Sequence, residues 1–443
     1  SRQRLLRVSH QFSQLCAQAV HADQCLEHAL SFLQSIVKRS SYIALLDEQP
    51  TALKRMVAVF DKSQWLSQQL INYPLLLDEL LDARVMDQRF DTDQLSQQIH
   101  ASLSSHADDI ESALLALNEF KISYTFKIGY HFLFQHLPAH KASHLLSLLA
   151  EQMLVHCTKI ASDELAKQHG HIADSSFAVI GYGSLGASCL AFNSDLDLVF
   201  LNQTQTLQQS DGKRPLDVAR FFLRQAQKLI SLLGLSTTSG FLYEVDIRLR
   251  PDGAKGLLVS SIDSYEQYQL QRAWVWELQA LVRARAVAGN EDLQQRFEVL
   301  RQQLLCVERD HAVLQKEIIA MRLRMRTELD RSDEQHFDIK HGLGGLTDIE
   351  FFLQAQMLIH SPLHPELTQK RESLAIITCL CSLGLLSELH ADGLAKAYEH
   401  LLMLGLTCHL NNKRRVVERT NDLASITARV SEILQAHDFN LSA

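Results

Sequence analysis

The sequence predicts a predominantly helical α+β protein in which a small mixed sheet lies between two helical regions. Glycine and proline are scarce, 17 and 7 in 443 residues, and the first glycine is Gly129, so the opening third lacks the residues that tight turns need. Nine of the glycines then fall between Gly170 and Gly256, where β-branched and aromatic residues gather in short runs. The length exceeds what one hydrophobic core supports. We therefore expect a helical region over 1–155, a mixed α/β region over 156–290 and a helical bundle over 291–443.

In the first region, leucines recur at three- and four-residue spacing in Leu75-Leu-Leu-Asp-Glu-Leu-Leu-Asp82 and again over 145–154, the stripe that an amphipathic helix buries. Pro74 stands where a helix would begin, and Pro138 separates two helices. From Ser175 the pattern predicts a strand over 177–182, a tight glycine-rich turn and a second strand over 195–201. A helix follows from Pro215 to about Leu233, then a strand over 241–250 and an edge strand near 257–259. Ser260 with Asp263 reads as a capping box that opens a long helix through Tyr265, Trp274 and Trp276. Helices return from Glu291, interrupted at 341–345, and Asp348 to about Leu434 reads as a bundle.

Composition narrows the function classes. Eight cysteines without a C-x-x-C pair or a signal-like N-terminus fit a reduced, cytoplasmic protein. The uncharged run 373–387 is too short to span a bilayer and reads as a buried helix, so no membrane partner is expected. A net charge of -8 gives no global attraction to nucleic acid. Serine at position 1 points to an excised piece of a longer chain.

Gly181-Tyr-Gly183-Ser-Leu-Gly186 matches a dinucleotide-binding pattern, but Asp195 and Asp197 follow too soon for the helix and return strand that such a site requires. A different parse fits better. Asp195 and Asp197 alternate along an apolar strand and so share a face, with Cα atoms roughly 7 Å apart. Two carboxylates there repel unless a cation offsets them. In Tyr243-Glu-Val-Asp246-Ile-Arg248-Leu-Arg250, alternation puts Asp246, Arg248 and Arg250 on one face. Asp246 would complete a metal-binding triad with Asp195 and Asp197 and is a candidate general base, while the arginines would hold phosphate oxygens. The amides around Gly183 and Ser184 would cradle phosphate, and Mg²⁺ with triphosphate oxygens would supply the cation for an in-line displacement at phosphorus. The order and spacing point to a nucleotidyltransferase.

The segments Val179-Ile-Gly-Tyr-Gly-Ser-Leu-Gly186, Asn193-Ser-Asp-Leu-Asp-Leu-Val-Phe200, Tyr243 to Pro251, Trp274 to Arg285, Phe337-Asp-Ile-Lys340 and Gly344-Gly-Leu-Thr-Asp-Ile-Glu-Phe351 resemble the bifunctional glutamine synthetase adenylyltransferase/adenylyl-removing enzymes. That resemblance implies a polymerase β-like mixed sheet and one of two homologous halves. The Trp274 to Arg285 and Leu75 to Arg84 stretches look more like the C-terminal, adenylylating half. It further implies transfer of AMP from ATP to a tyrosine hydroxyl of glutamine synthetase, with control by glutamine and the PII signalling protein. The phosphorolytic adenylyl-removing half and a non-catalytic nucleotide- or effector-binding module are the alternatives. One departure is visible: where the family has Gly-Lys-Leu-Gly-Gly, this chain has Gly183-Ser184-Leu185-Gly186-Ala187. Loss of that lysine predicts altered phosphate contacts, and Ala187 is tolerable only outside the glycine-only backbone region.

Lys340 is a further candidate for the nucleotide, and Asp348 and Glu350 are additional candidates that either close over the site or sit in a helix's first turn, where the dipole favours acids. Arg322 and Arg326, one turn apart, are expected on a solvated face. His360 and His364 have zinc spacing, but Pro362 spoils the helix that such a pair needs. Lys413, Arg414 and Arg415 form too short a basic run to argue nucleic acid.

Overall fold

A computed structural model describes residues 2–81, 90, 92–103, 109–205 and 209–441. The chain divides into two compact units, Ser1–Leu145 with Leu406–Arg414, and Leu146–Gly405 with Arg415–Ala443.

The first unit is helical, as the missing glycines predict. Helices Arg2–Cys16, Ala22–Ile36 and Pro50–Lys62 pack through Phe12, Phe32 and Phe60, with the first two rings each 6.2 Å from the third. Each fully buried ring contributes roughly 1.5–3 kcal/mol. Ser63 caps the next helix, Gln64–Asn72, by accepting the Leu66 amide at 3.1 Å. Pro74 opens a 3₁₀ turn, Pro74–Leu76, that runs into Leu77–Leu81 and buries Leu76, Leu77 and Leu80. The end of the first leucine-bearing stretch, from Asp82 on to Arg84, lies outside the described residues, whereas the second, over 145–154, lies within helix Ala139–His169. Pro138 does separate two helices, Ile110–Leu133 and Ala139–His169.

The second unit carries a five-stranded mixed sheet: β1 (Ser175–Gly181), β2 (Leu196–Thr204), β3 (Val245–Asp246), β4 (Val259–Ser261) and β5 (Arg285–Gly289). β1 lies between β2 and β5, antiparallel to both, while β3 and β4 pair in parallel with successive parts of β2. Stacking of Phe177 on Phe200 and Phe222, with centroids 5.9 and 6.1 Å apart, anchors helix Val218–Gly234 to one face. A two-stranded ribbon, β6 (His336–Asp338) with β7 (Val416–Glu418), lies within the helical stretches that the sequence predicts on either side of the interruption at 341–345.

Three predicted elements are corrected. The strand expected over 241–250 is only two residues long, because Arg250 folds the chain back by donating to the carbonyls of Ile247, Ala254 and Gly256. The helix expected to open at Ser260 is capped by Ser261, because the β2–β4 ladder runs on through Ser261 and the Ser261 hydroxyl then accepts the Ser264 amide. That helix is also not continuous through the tryptophans. It ends at Gln271, and a second helix, Val275–Val282, begins where Glu277 reaches back to the Trp274 amide at 2.9 Å. Arg322 likewise departs from its predicted solvated face: it is 0% exposed and pairs with Asp348 at 2.6 Å. Arg326 donates to the Leu441 carbonyl.

Candidate functional site

The parallel pairing of β2 with β3 sets Leu196 beside Val245 and Asp197 beside Asp246. Cross-strand partners in register share a face, and Asp195 shares it through the two-residue period of its own chain. The three residues therefore lie on one face near the N-terminal end of β2, where Asp195 is exposed and Asp197 half-buried. Asp197 is pushed up to about 6 by burial first and then by repulsion from Asp195 and Asp246, with Arg283 and Lys340 pulling the other way. Repulsion of that kind, from hard oxygen donors, fits a divalent cation of the magnesium class.

Opposite the carboxylates, β1 ends in a single helical turn, Gly183–Gly186, whose first amides have no acceptor within the turn. Gly183 has φ +54°, and a Cβ there would lie 2.1 Å from Oδ2 of Asp197. Only glycine lets this turn approach the acidic strand so closely. Ala187 has φ -86° and ψ 8°, an ordinary conformation, so its departure from glycine carries no backbone penalty. The Cys189 amide donates to the Ser184 carbonyl at 2.8 Å.

The remaining predicted residues divide sharply. Arg248 is at the site but spent on Asp246: its Nε lies 2.7 Å from Oδ2, its backbone amide 2.8 Å from Oδ1, and Nη2 also reaches Oδ2. Those hydrogen bonds hold the Asp246 carboxyl below its ordinary range. Among the described residues no three His, Cys, Asp or Glu side chains converge closely enough to hold a metal alone, in keeping with Asp246 being turned onto Arg248. Arg250 is turned into its own loop and does not share the face. Lys340 is exposed in the loop after β6 and interacts electrostatically with Asp197, Glu350 and Arg283; desolvation and the neighbouring Arg415 lower its pKa. Asp348 is consumed by Arg322 and by the Gly344 amide at 2.7 Å, a buried structural pair. Glu350 pairs with Arg283 at 2.7 Å.

Arg283 is the residue that pattern reading does not single out. It lies within the Trp274 to Arg285 segment, at the C-cap of helix Val275–Val282, where strand and helix periodicities both lapse. The signal that finds it is spatial: a guanidinium beside Asp197 that also contacts Glu350 and Cys189. No helix of the described residues is long and apolar enough to cross a membrane.

With this geometry in view, residues 53–300 match the family model for glutamate-ammonia ligase adenylyltransferase, and residues 319–433 match that for GlnD PII-uridylyltransferase. The chain is 43% identical over 437 residues to the bifunctional glutamine synthetase adenylyltransferase/adenylyl-removing enzyme of Stenotrophomonas maltophilia (strain K279a), covering 98% of this chain and 47% of that protein. Enzymes of the same name from Xanthomonas campestris pv. campestris (strain B100) and Nitrosococcus oceani are 43% identical over 439 residues and 41% identical over 388. These cover 98% and 85% of this chain, and 47% and 40% of the relatives. The chain thus spans about half the length of the curated relatives it matches.

Proposed function

The chain belongs to the glutamate-ammonia ligase adenylyltransferase family, and on that premise we propose that it transfers AMP from ATP to a tyrosine hydroxyl of glutamine synthetase. The observation that carries this reading is the β2–β3 register, which sets Asp197 beside Asp246 with Asp195 on the same face and the Gly183 turn against Asp197.

In this reading Asp195 and Asp197 would hold Mg²⁺ brought with the substrate's phosphates, and Asp246, still paired with Arg248, would be the third carboxylate of the site. Mg²⁺ supplies positive charge that offsets the phosphates during displacement. The tyrosine oxygen forms a bond to the α-phosphorus as the bond to the bridging oxygen breaks, and pyrophosphate leaves with the electron pair. Asp246 takes the hydroxyl proton, and its pair with Arg248 keeps it ionised and aimed while lowering its basicity. The turn amides of Gly183 and Ser184 and the Lys340 ammonium contact phosphate oxygens. Residues 156–290 form the nucleotidyltransferase region, flanked by helical regions. Control by PII and glutamine, and a cytoplasmic location, belong to the same proposal and rest on the family resemblance; the eight free thiols suit a reducing compartment.

The test is incubation with unmodified glutamine synthetase, Mg²⁺ and ATP, followed by mass spectrometry of the synthetase. AMP on a tyrosine is the expected product. Unmodified synthetase, with AMP instead released as ADP from pre-adenylylated synthetase and phosphate, would assign the removing reaction in its place.

A further inference from the structure

We propose that Arg283 is a catalytic residue that contacts the β- and γ-phosphates and offsets the charge on the departing pyrophosphate, the cation that Ser184 no longer supplies. The inference rests on the AMP-transfer reading and adds a residue to it.

The backbone at Arg283 is pinned with unusual care. Arg301, 1% exposed, donates from Nε to the Leu281 carbonyl at 3.0 Å, from Nη2 to the Val282 carbonyl and from Nη1 to the Thr368 carbonyl at 2.6 Å. Arg371 donates from Nε to the Ala284 carbonyl at 3.1 Å. The carbonyl of Arg283 itself is packed against Gly186, where a Cβ would lie 2.0 Å away. Two arginines thus fix the peptide units on either side of Arg283, while its own carbonyl packs on the turn at Gly186. Cations at a helix C-terminus are favourable, but removing them from water is not; Arg301 here meets only neutral carbonyls, and Arg371 is paired with Glu298 as well. Such an arrangement fixes the position of the residue between them.

The Arg283 side chain is 12% exposed, with Nη1 2.7 Å from Glu350 and Nη2 2.7 Å from the Cys189 sulfur. Its buried Nε has no hydrogen-bond partner among the described residues. A guanidinium that keeps a donor unsatisfied beside Asp197 is matched to an acceptor that arrives from outside. Asp197 feels Asp195 and Asp246 as like charges and Arg283 and Lys340 as opposite ones, so the site carries charge of both signs. A triphosphate carrying a divalent cation complements both. With Nη1 held by Glu350 and Nη2 by Cys189, the remaining Nε–H gives a directed donor to one phosphate oxygen, which a lysine at position 184 would contact only as a point charge. As the α-phosphorus bond to the bridging oxygen breaks, the negative charge gathers on the pyrophosphate, and no further reactant is needed.

Calorimetric binding of ATP, pyrophosphate and AMP in Mg²⁺, to the parent and to Arg283→Met and Arg283→Lys, tests the assignment. Arg283→Met should lose about tenfold or more in ATP and pyrophosphate affinity while AMP binding changes less than about twofold, with Arg283→Lys in between. Unchanged pyrophosphate affinity, or an equal loss for all three ligands, overturns it. If Arg283→Met does not fold, the ratio of pyrophosphate to AMP affinity in Arg283→Lys decides the matter. A parent that binds no ATP counts against the AMP-transfer reading itself, whereas a parent that transfers AMP while its Arg283 variants bind pyrophosphate normally counts against this role alone.

Discussion

Replacing Asp197 by asparagine removes the charge that the site finds hardest to hold without a cation. Burial and the neighbouring Asp195 and Asp246 carry its carboxyl from 3.8 to about 6, despite Arg283 and Lys340. A carboxyl whose folded pKa is raised binds its proton more tightly when folded. Its penalty is therefore absent at low pH, grows as pH rises from 3.8 to about 6, and is constant above. Roughly two units at about 1.4 kcal/mol each bound the penalty at about 3 kcal/mol. Relaxation and water entry reduce the expected gain in Asp197→Asn to about 1–2 kcal/mol, a rise of roughly 2–6 °C in melting temperature for a unit of this size. The assay is thermal unfolding without divalent cations from pH 4 to pH 8, repeated at pH 7.5 with increasing Mg²⁺. The variant should melt higher than the parent above pH 6, with the gap closing towards pH 4, and Mg²⁺ should stabilise the parent alone. A variant that is less stable at pH 7.5, or a gap independent of pH, would refute the electrostatic reasoning.

Other perturbations separate site residues from structural ones. Gly183→Ala places a methyl 2.1 Å from Asp197 in a left-handed turn, so AMP transfer should fall at least about tenfold and stability by about 1–2 kcal/mol, read from kinetics and melting. Asp348→Asn leaves buried Arg322 without its counter-charge and should cost about 3–5 kcal/mol in denaturant unfolding, with activity retained per folded molecule. Arg301→Met orphans three carbonyls and should cost about 3 kcal/mol or more, and transfer by the remaining folded protein should fall as Arg283 loses its fixed position. Arg250→Ala should speed proteolysis of the loop over 247–256 while leaving pyrophosphate affinity within about twofold, in contrast to Arg283→Met.

The acidic face was legible because strand alternation is a local property: Asp195 and Asp197 are two residues apart, and Asp246 stands in a matching apolar frame. The glycine turn was legible for the same reason, since Gly183 marks a left-handed step. What the pattern could not show is where a strand stops. Arg250 looks like a third alternating residue, yet its guanidinium finds three nearby carbonyls and ends the ladder after Asp246. Arg322 and Asp348 are too far apart in sequence for helical spacing to pair them, so the arginine read as solvated and the acid as a candidate ligand. Arg283 was hidden differently. It sits between a helix and a strand, and its environment is assembled from Gly186, Cys189, Glu350, Arg301 and Arg371, none of which is a sequence neighbour.

The central claim is that the carboxylates of β2 and β3 are the AMP-transfer centre. Label transfer to unmodified glutamine synthetase, with ATP labelled at either the α- or the γ-phosphorus, tests it most directly when the parent is set beside Asp195→Ala/Asp197→Ala. The account predicts tyrosine-linked label from the α position only, lost in the variant while its fold persists. Label from the γ position, or α-label that survives in the variant, would contradict it.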